Sequence, residues 1–408
     1  MSLQSQFPPA PTSNTNGDSA VPGHGKYAAI ISALAVGGFV IGISEFAIMG
    51  LMPNVAREFG IAEQTVGHLI SIYALGVVVG APTLALIAGR VSRKTMLIVL
   101  MAAYAAANLL SGLSPSYRWM VFFRFVSGLP HGAFFGLAAL VAASVSRPQQ
   151  RGAAVARVML GITLALLVGN PLAVAIGQAL SWRYAFYMVA GGALITIALL
   201  AWALPRDGQQ RPQAGALAEM RDFNRPAVWL TLCIGAVGFA GMFCVFGYMA
   251  PTMLQVTGVS DHWIPFGIAA FGAGSMIGAQ LGGWMFDRHG SRAATMSLIG
   301  AIAAMLIYAL AVRSPLSVIP GIVLVGTMGT LVPILQIHLL DVARGAQGLA
   351  SAANQAAFNV ANALGPWCGG LAVSAGLGWA STGLVGATLA LVALLLWSLA
   401  PARLKRAQ

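Results

Sequence analysis

The sequence predicts an all-α membrane protein, with twelve transmembrane helices in two pseudo-symmetric six-helix bundles. Three observations carry this. The 408 residues are 58% hydrophobic and only 8% charged, with a mean hydropathy of +0.82, which leaves too little charge to cover a soluble surface of this size. Apolar runs of about 20 residues recur along the whole chain, each long enough to cross a bilayer as a helix. Landmarks of the first half also return in the second at a nearly constant spacing.

In chain order, residues 1–25 are rich in Ser, Asn, Pro and Gly without an apolar core. They are read as a disordered cytoplasmic tail, and a cleaved signal peptide is ruled out. Crossings follow near 27–52, 65–88, 95–114, 119–144, 152–180 and 184–204, forming an N-terminal bundle over 26–204. The longest polar connection, "PRDGQQRPQAGALAEMRDFNRP", makes a cytoplasmic linker over 205–226. The second bundle, 227–400, holds crossings near 227–255, 262–286, 293–312, 316–340, 347–376 and 379–400, and a cytoplasmic tail occupies 401–408.

The net charge of +12 is sorted by topology. With the N-terminus inside, seventeen Lys and Arg fall in cytoplasmic segments, while Arg57, Arg118, Arg183 and Arg313 fall outside and Arg124 lies within a helix. This bias is the positive-inside rule and puts both termini in the cytoplasm. The basic balance therefore points to anionic lipid and not to a nucleic-acid partner. Cys233, Cys244 and Cys368 lie in crossings and are read as small packing residues; the first two are about 16 Å apart along one helix, too far for a disulfide.

The repeat is legible at three landmarks. Pro53 and Pro251 are 198 residues apart, Gly89 and Asp287 are also 198 apart, and Gly169 and Gly365 are 196 apart. Duplicated six-helix units mark secondary transporters, whose site lies near the midplane between the halves.

The loop "GAQLGGWMFDRHGSR" (278–292) resembles the loop signature of the major facilitator superfamily, and "RFVSGLPHGAFFG" (124–136) resembles its fourth-helix motif. "ALGPWCGG" (363–370) has the form of the antiporter motif but sits in the eleventh helix, and its fifth-helix counterpart "VGNPLAVAIG" is looser. With "SEFAIMGLMPNVA", the set is similar to the bacterial drug:proton antiporter-1 family, above all its arabinose-like and sugar-efflux branch. The resemblance spans about residues 26–400. One departure stands out: the first-half loop reads "ALIAGRVSRKTM", with Gly89 where the pattern has Asp, so an Asp latch is implied only for the second-half loop, at Asp287 with Arg288 and Arg292. A loop salt bridge among those three residues is the plainer alternative.

Two acid or base side chains lie well inside crossings, Glu45 and Arg124. Burial of either costs several kcal/mol unless it is paired or faces water, so both are functional candidates. Glu45 is placed about 12 Å inside the outer end of its helix near Pro53, and Arg124 about 7 Å inside its own. Burial favours a neutral carboxyl, and water or a cation favours the charged one. Glu45 can thus load and release a proton as its exposure alternates, or it can be a structural acid bonded to a neighbouring helix, Arg124 included. Arg124, Gly128 and His131 share one helix face. The resemblance implies that Arg124 tunes or relays the proton; a snorkelling arginine is the alternative. His131 suits proton handling, and a neutral packing histidine fits equally well.

Tyr73, Asn170, Tyr248, Gln280, Gln336, His338, Asn354, Gln355, Asn359 and Asn362 are candidates for lining a substrate cavity. Gln355, Asn359, Asn362 and Pro366 form one stripe of the eleventh helix, which faces protein or water in preference to lipid. Phe39, Phe46, Phe135, Phe243 and Phe246 are candidate apolar walls or plain packing. No phosphate-binding G-x-x-x-x-G-K-[ST] loop, H-E-x-x-H pair or nucleophile beside a buried base is present, so neither enzymatic chemistry nor a cofactor or metal is expected. The expected protein is a proton-coupled exporter of amphipathic drugs or related toxic compounds, working by alternating access. It would be a monomer in a bacterial inner membrane, with a small molecule, protons and lipid as its partners. A sugar or nucleoside exporter is the alternative, since an Asn/Gln-rich cavity favours hydroxyl-rich substrates.

Overall fold

The computed structural model describes residues 24–88, 91–147, 150–205, 223–343 and 347–400. The N-terminal tail up to residue 23, Gly89, most of the linker and the C-terminal tail lie outside the described residues.

Twelve crossings are present among the described residues. The first bundle contains α1 (His24–Phe59), α2 (Glu63–Ala88), α3 (Arg93–Gly112), α4 (Tyr117–Ser144), α5 (Arg151–Leu164, continued by Asn170–Ala179) and α6 (Arg183–Ala203). The second contains α7 (Pro226–Gly247, continued by Met249–Thr252), α8 (Ile264–His289), α9 (Arg292–Ala311), α10 (Pro315–Gly326, continued by Leu331–Ala343), α11 (Gln347–Ala372) and α12 (Ser381–Leu399). Eleven of the helices are long and apolar enough to cross a membrane by composition alone. The exception is α11, whose Asn and Gln stripe dilutes its apolar character.

Proline explains most of the interruptions, because it removes a donor and crowds the carbonyl four residues back. In α5 a π-helical turn, Ala165–Gly169, precedes Pro171, and the Asn170 amide donates to the Ala165 carbonyl at 3.2 Å and the Gly42 carbonyl at 3.1 Å. In α7 the helix breaks at Tyr248 (φ −113, ψ 17), between Gly247 and Pro251. Pro53 leaves no such break. The first crossing was expected to end near residue 52, but it runs on to Phe59, so Glu45 sits about 21 Å from the outer helix end, close to the midplane.

The duplication is visible in packing. A Cβ on Gly76 would strike the Phe125 carbonyl, one on Gly80 the Leu129 carbonyl and one on Gly128 the Tyr73 carbonyl, so α2 and α4 meet backbone to backbone. The same contacts recur 198 residues later: Gly274 on Val323, Gly278 on Thr327 and Gly326 on Phe271 join α8 to α10. Without water to drive helices together, such small-residue seams supply the close van der Waals contact that holds a membrane bundle. Large apolar side chains such as Leu194, Ile195, Trp202, Leu310 and Leu399 are exposed, as a lipid-facing surface requires. Cys244 is buried, but Cys233 is exposed and does not take the packing role read from the sequence.

The halves meet through α2 against α11 and α5 against α8. Hydrogen bonds between them run from the midplane outward. Asn362 donates to Glu45 at 3.0 Å, Ser71 to the Ala363 carbonyl at 3.0 Å, Gln255 to Glu63 at 2.9 Å and Gln178 to the Asp261 carbonyl at 3.0 Å. The protein is therefore closed toward the outside. Outer ends of the first bundle are tied separately, where Arg183 pairs with Glu58 at 2.7 Å and donates to the Gly112 and Ser114 carbonyls.

The glycine seams yield a direct test. Gly128→Leu and Gly326→Leu should each destabilise their bundle by about 1–3 kcal/mol, the usual penalty of overpacking. Gly136→Ala, where a Cβ meets nothing within 4 Å, should be neutral. Thermal unfolding of detergent-purified protein checks this; equal stability of all three would refute the seam.

Candidate functional site

Glu45 is 2% exposed, and its Oε1 accepts a hydrogen bond from Asn362 Nδ2 at 3.0 Å. The partner lies in the opposite half, 317 residues away in sequence. Asn362 is about 22 Å from Leu377 at the outer end of its crossing, the same depth as Glu45. The amide's own Oδ1 has no partner.

Arg124 enters from α4 and is 0% exposed, which excludes a snorkelling side chain. It makes no ion pair with Glu45: among the described residues the ion pair within 4.0 Å is Arg183–Glu58. Its Nη1 instead donates to the Ser44 carbonyl at 3.0 Å and the Ser44 hydroxyl at 3.2 Å, one residue from the carboxylate. The guanidinium lies 4.2 Å over the Tyr73 ring and 5.8 Å from that of Phe186. This cation–π contact stabilises a desolvated charge, and Nε and Nη2 remain without hydrogen-bond partners.

A chain of polar side chains continues from that ring. The Tyr73 hydroxyl meets His131 Nδ1 and the Tyr104 hydroxyl, each at 3.0 Å, and Tyr104 donates to the Ile41 carbonyl at 3.3 Å. Ser44 donates to Asn108 at 2.6 Å. His131 is about 21 Å down α4, at the depth of Glu45, with Nε2 unpartnered. Glu45, Arg124, His131 and Tyr73 are therefore brought together, with α1, α2, α4 and α11 each contributing. The sequence reading missed Ser44, Tyr104 and Asn108. The i, i+4 spacing of Tyr104 and Asn108 in an apolar crossing was the available signal.

The other cavity candidates divide. Asn359 is buried one turn inward of Asn362; it donates to the Gln355 carbonyl at 3.0 Å and leaves Oδ1 free, while Gln355 is half-buried. Gln336 accepts from Asn354 at 2.6 Å, joining α10 to α11. Three candidates are committed to helix contacts instead of a cavity. Asn170 bridges α5 to α1, Tyr248 donates to the Pro366 carbonyl at 2.9 Å beside Gly67, and His338 packs on Trp397 of α12 at 5.3 Å. Gln280 is exposed. Asp287, Arg288 and Arg292 are all exposed at the α8–α9 turn, and Arg288 rests 5.7 Å over the Trp284 ring. The three form no salt bridge within 4.0 Å among the described residues.

Comparison with known proteins agrees with this architecture. Residues 34–345 and 231–408 match the family model described as Major Facilitator Superfamily. The chain is 37% identical over 369 residues to the inner membrane transport protein YdhP of Escherichia coli, covering 89% of this chain and 94% of that protein. It is 30% identical over 339 residues to a chloramphenicol resistance protein of Streptomyces lividans (82% and 86% covered). Against a probable sugar efflux transporter of Helicobacter pylori it is 28% identical over 367 residues (89% and 93% covered). Among solved structures, a bacterial homologue of the lysosomal transporter Spinster, crystallised inward-facing and unoccupied, superposes with a TM-score of 0.72 at 17% identity, covering 92% of this chain and 97% of that one. The chain belongs to the major facilitator superfamily: it is a multi-pass secondary transporter and not an enzyme.

Proposed function

We propose that this transporter exports small molecules from the bacterial cytoplasm in exchange for protons, with Glu45 as the proton carrier. The observation that carries the reading is a buried carboxylate whose hydrogen bond comes from Asn362 of the opposite half. An ionised carboxylate held there costs free energy unless it is neutralised or hydrated. Loading and unloading a proton therefore changes the energy of holding the halves together at that level. That is the differential interaction needed to drive alternating access. Arg124, fixed by Ser44 and the face of Tyr73, is the basic side chain of the same buried polar cluster and holds the Ser44 backbone next to Glu45. Tyr73 and His131 extend the polar chain for proton passage.

Asp287, exposed and outside any salt bridge among the described residues in this outward-closed state, is free to engage when the cytoplasmic side closes. The first half has Gly89 at the matching position, so Asp287 carries the latch alone. The substrate class proposed is an amphipathic, drug-like compound. The aromatic surroundings of Glu45 and the resistance-protein relative support it. A second reading, export of a hydroxyl-rich sugar-like molecule, is favoured by the unpartnered Asn359 and Asn362 oxygens and by the sugar-efflux relative.

Three variants test this in proteoliposomes under an imposed pH gradient. Glu45→Gln mimics the protonated acid, so uphill transport should fall to background while substrate binding survives; pH-driven accumulation at the wild-type rate would sink the assignment. Arg124→Ala removes hydrogen bonds from a charged group, worth about 1.5–3 kcal/mol each, and should slow coupled transport about tenfold or more at unchanged protein level. Asp287→Asn should reduce turnover with little change in substrate affinity. A changed affinity at normal turnover would count against a latch.

A further inference from the structure

We propose that Phe46 is a proton seal: its ring, locked among phenylalanines of the opposite half, keeps outside water from Glu45 while the transporter is closed outward. This rests on Glu45 as the proton carrier, and goes beyond it by assigning the insulation that coupling requires.

Phe46 follows Glu45 on α1 and is 1% exposed. Its ring stacks on Phe243 at 6.2 Å and tilts onto Phe246 at 5.8 Å, both on α7. Phe246 lies face to face with Phe271 of α8 at 3.9 Å and 7°, and Phe243 meets Phe358 of α11 edge-on at 5.0 Å. One ring of the first half thus packs on two rings of α7, which are in turn backed by rings of α8 and α11. Counting helix rise, Phe246 lies about 16 Å from the outer end of its crossing and Phe271 about 10 Å, against about 21 Å for Glu45. The branch from Phe46 through Phe246 to Phe271 therefore extends from the level of the carboxylate toward the outside, while Phe358 lies inward of it. At this part of the interface α1 is also packed against apolar side chains: a Cβ on Gly50 would strike Ile268 and Val174.

The repeat shows that this packing is not inherited from the first half. Counting 198 residues from Glu45 reaches Phe243, and from Tyr73 reaches Phe271. Two positions of the first half's polar cluster thus hold rings in the second, and one of those rings, Phe243, packs on Phe46 across the interface. A bonded acid exposed to water on both sides at once would conduct protons without moving substrate, so an exchanger needs a dry barrier on the closed side. Water settles where polar groups can bind it, and an apolar void stays dry. The informative variant is therefore Phe46→Ser, which removes the ring and adds a hydroxyl. Phe46→Leu keeps most of the apolar volume.

The test is proton entry into proteoliposomes, read with an internal pH dye under an imposed gradient and without substrate. Phe46→Ser should raise substrate-independent proton flux severalfold over wild type, and Phe46→Leu should stay within about twofold. Monodisperse Phe46→Ser protein leaking no more than wild type would overturn the seal, whatever Glu45 does. The double variant Glu45→Gln/Phe46→Ser separates the two ideas. Flux back at background supports a seal over a conducting Glu45. Flux still raised supports the seal as a barrier and overturns Glu45 as the carrier.

Discussion

A carboxylate at the midplane of a bilayer is the constraint around which this molecule is arranged. Glu45 is buried, has no cationic side chain within salt-bridge distance among the described residues, and takes its hydrogen bond from Asn362 in the other half of the chain. Each polar group near it is in turn supported: Arg124 by Ser44 and the face of Tyr73, Tyr73 by Tyr104 and His131, and Ser44 by Asn108. In a low-dielectric interior such chains are strong when satisfied and costly when broken. The acid's surroundings therefore constrain α1, α2, α3, α4 and α11 together.

The duplicated fold supplies the frame, and the two halves diverge within it. The glycine seams of α2–α4 and α8–α10 match residue for residue at an offset of 198, because close backbone contact tolerates no Cβ in either half. Side chains at the interface are free of that constraint. Around the buried acid the first half carries Glu45, Tyr73, Arg124 and His131, while the same offset reaches Phe243, Phe271, Ile322 and Gly329 in the second. The halves are thus unequal at these positions, although the second half also brings a polar side chain, Asn362, to Glu45.

The outer closure has two layers of different character. Near the surface, Gln255 links Glu63 to Trp379 through hydrogen bonds of 2.9 and 2.7 Å, and both ends are exposed enough for water to compete. Deeper, the closure is aromatic. Polar clasps exchange readily with solvent, whereas packed rings must separate as a unit.

Much of this was legible in the amino-acid sequence. Twelve crossings, their orientation and the repeat follow from hydropathy, Lys/Arg placement and spacing, since a bilayer forces helices and leaves few alternatives. Glu45 and Arg124 stood out because an ionisable residue in an apolar run is conspicuous. What the sequence left open was partnership. It allowed Glu45 to pair with Arg124, whereas the fold gives the carboxylate to Asn362 and the guanidinium to Ser44. It offered Asn170, Tyr248 and His338 as cavity residues, whereas each is committed to a helix contact. Periodicity assigns a residue to a face of its own helix, but which helix lies against that face, and at what rotation, is set by packing among segments far apart in the chain. Only the tertiary structure decided those contacts.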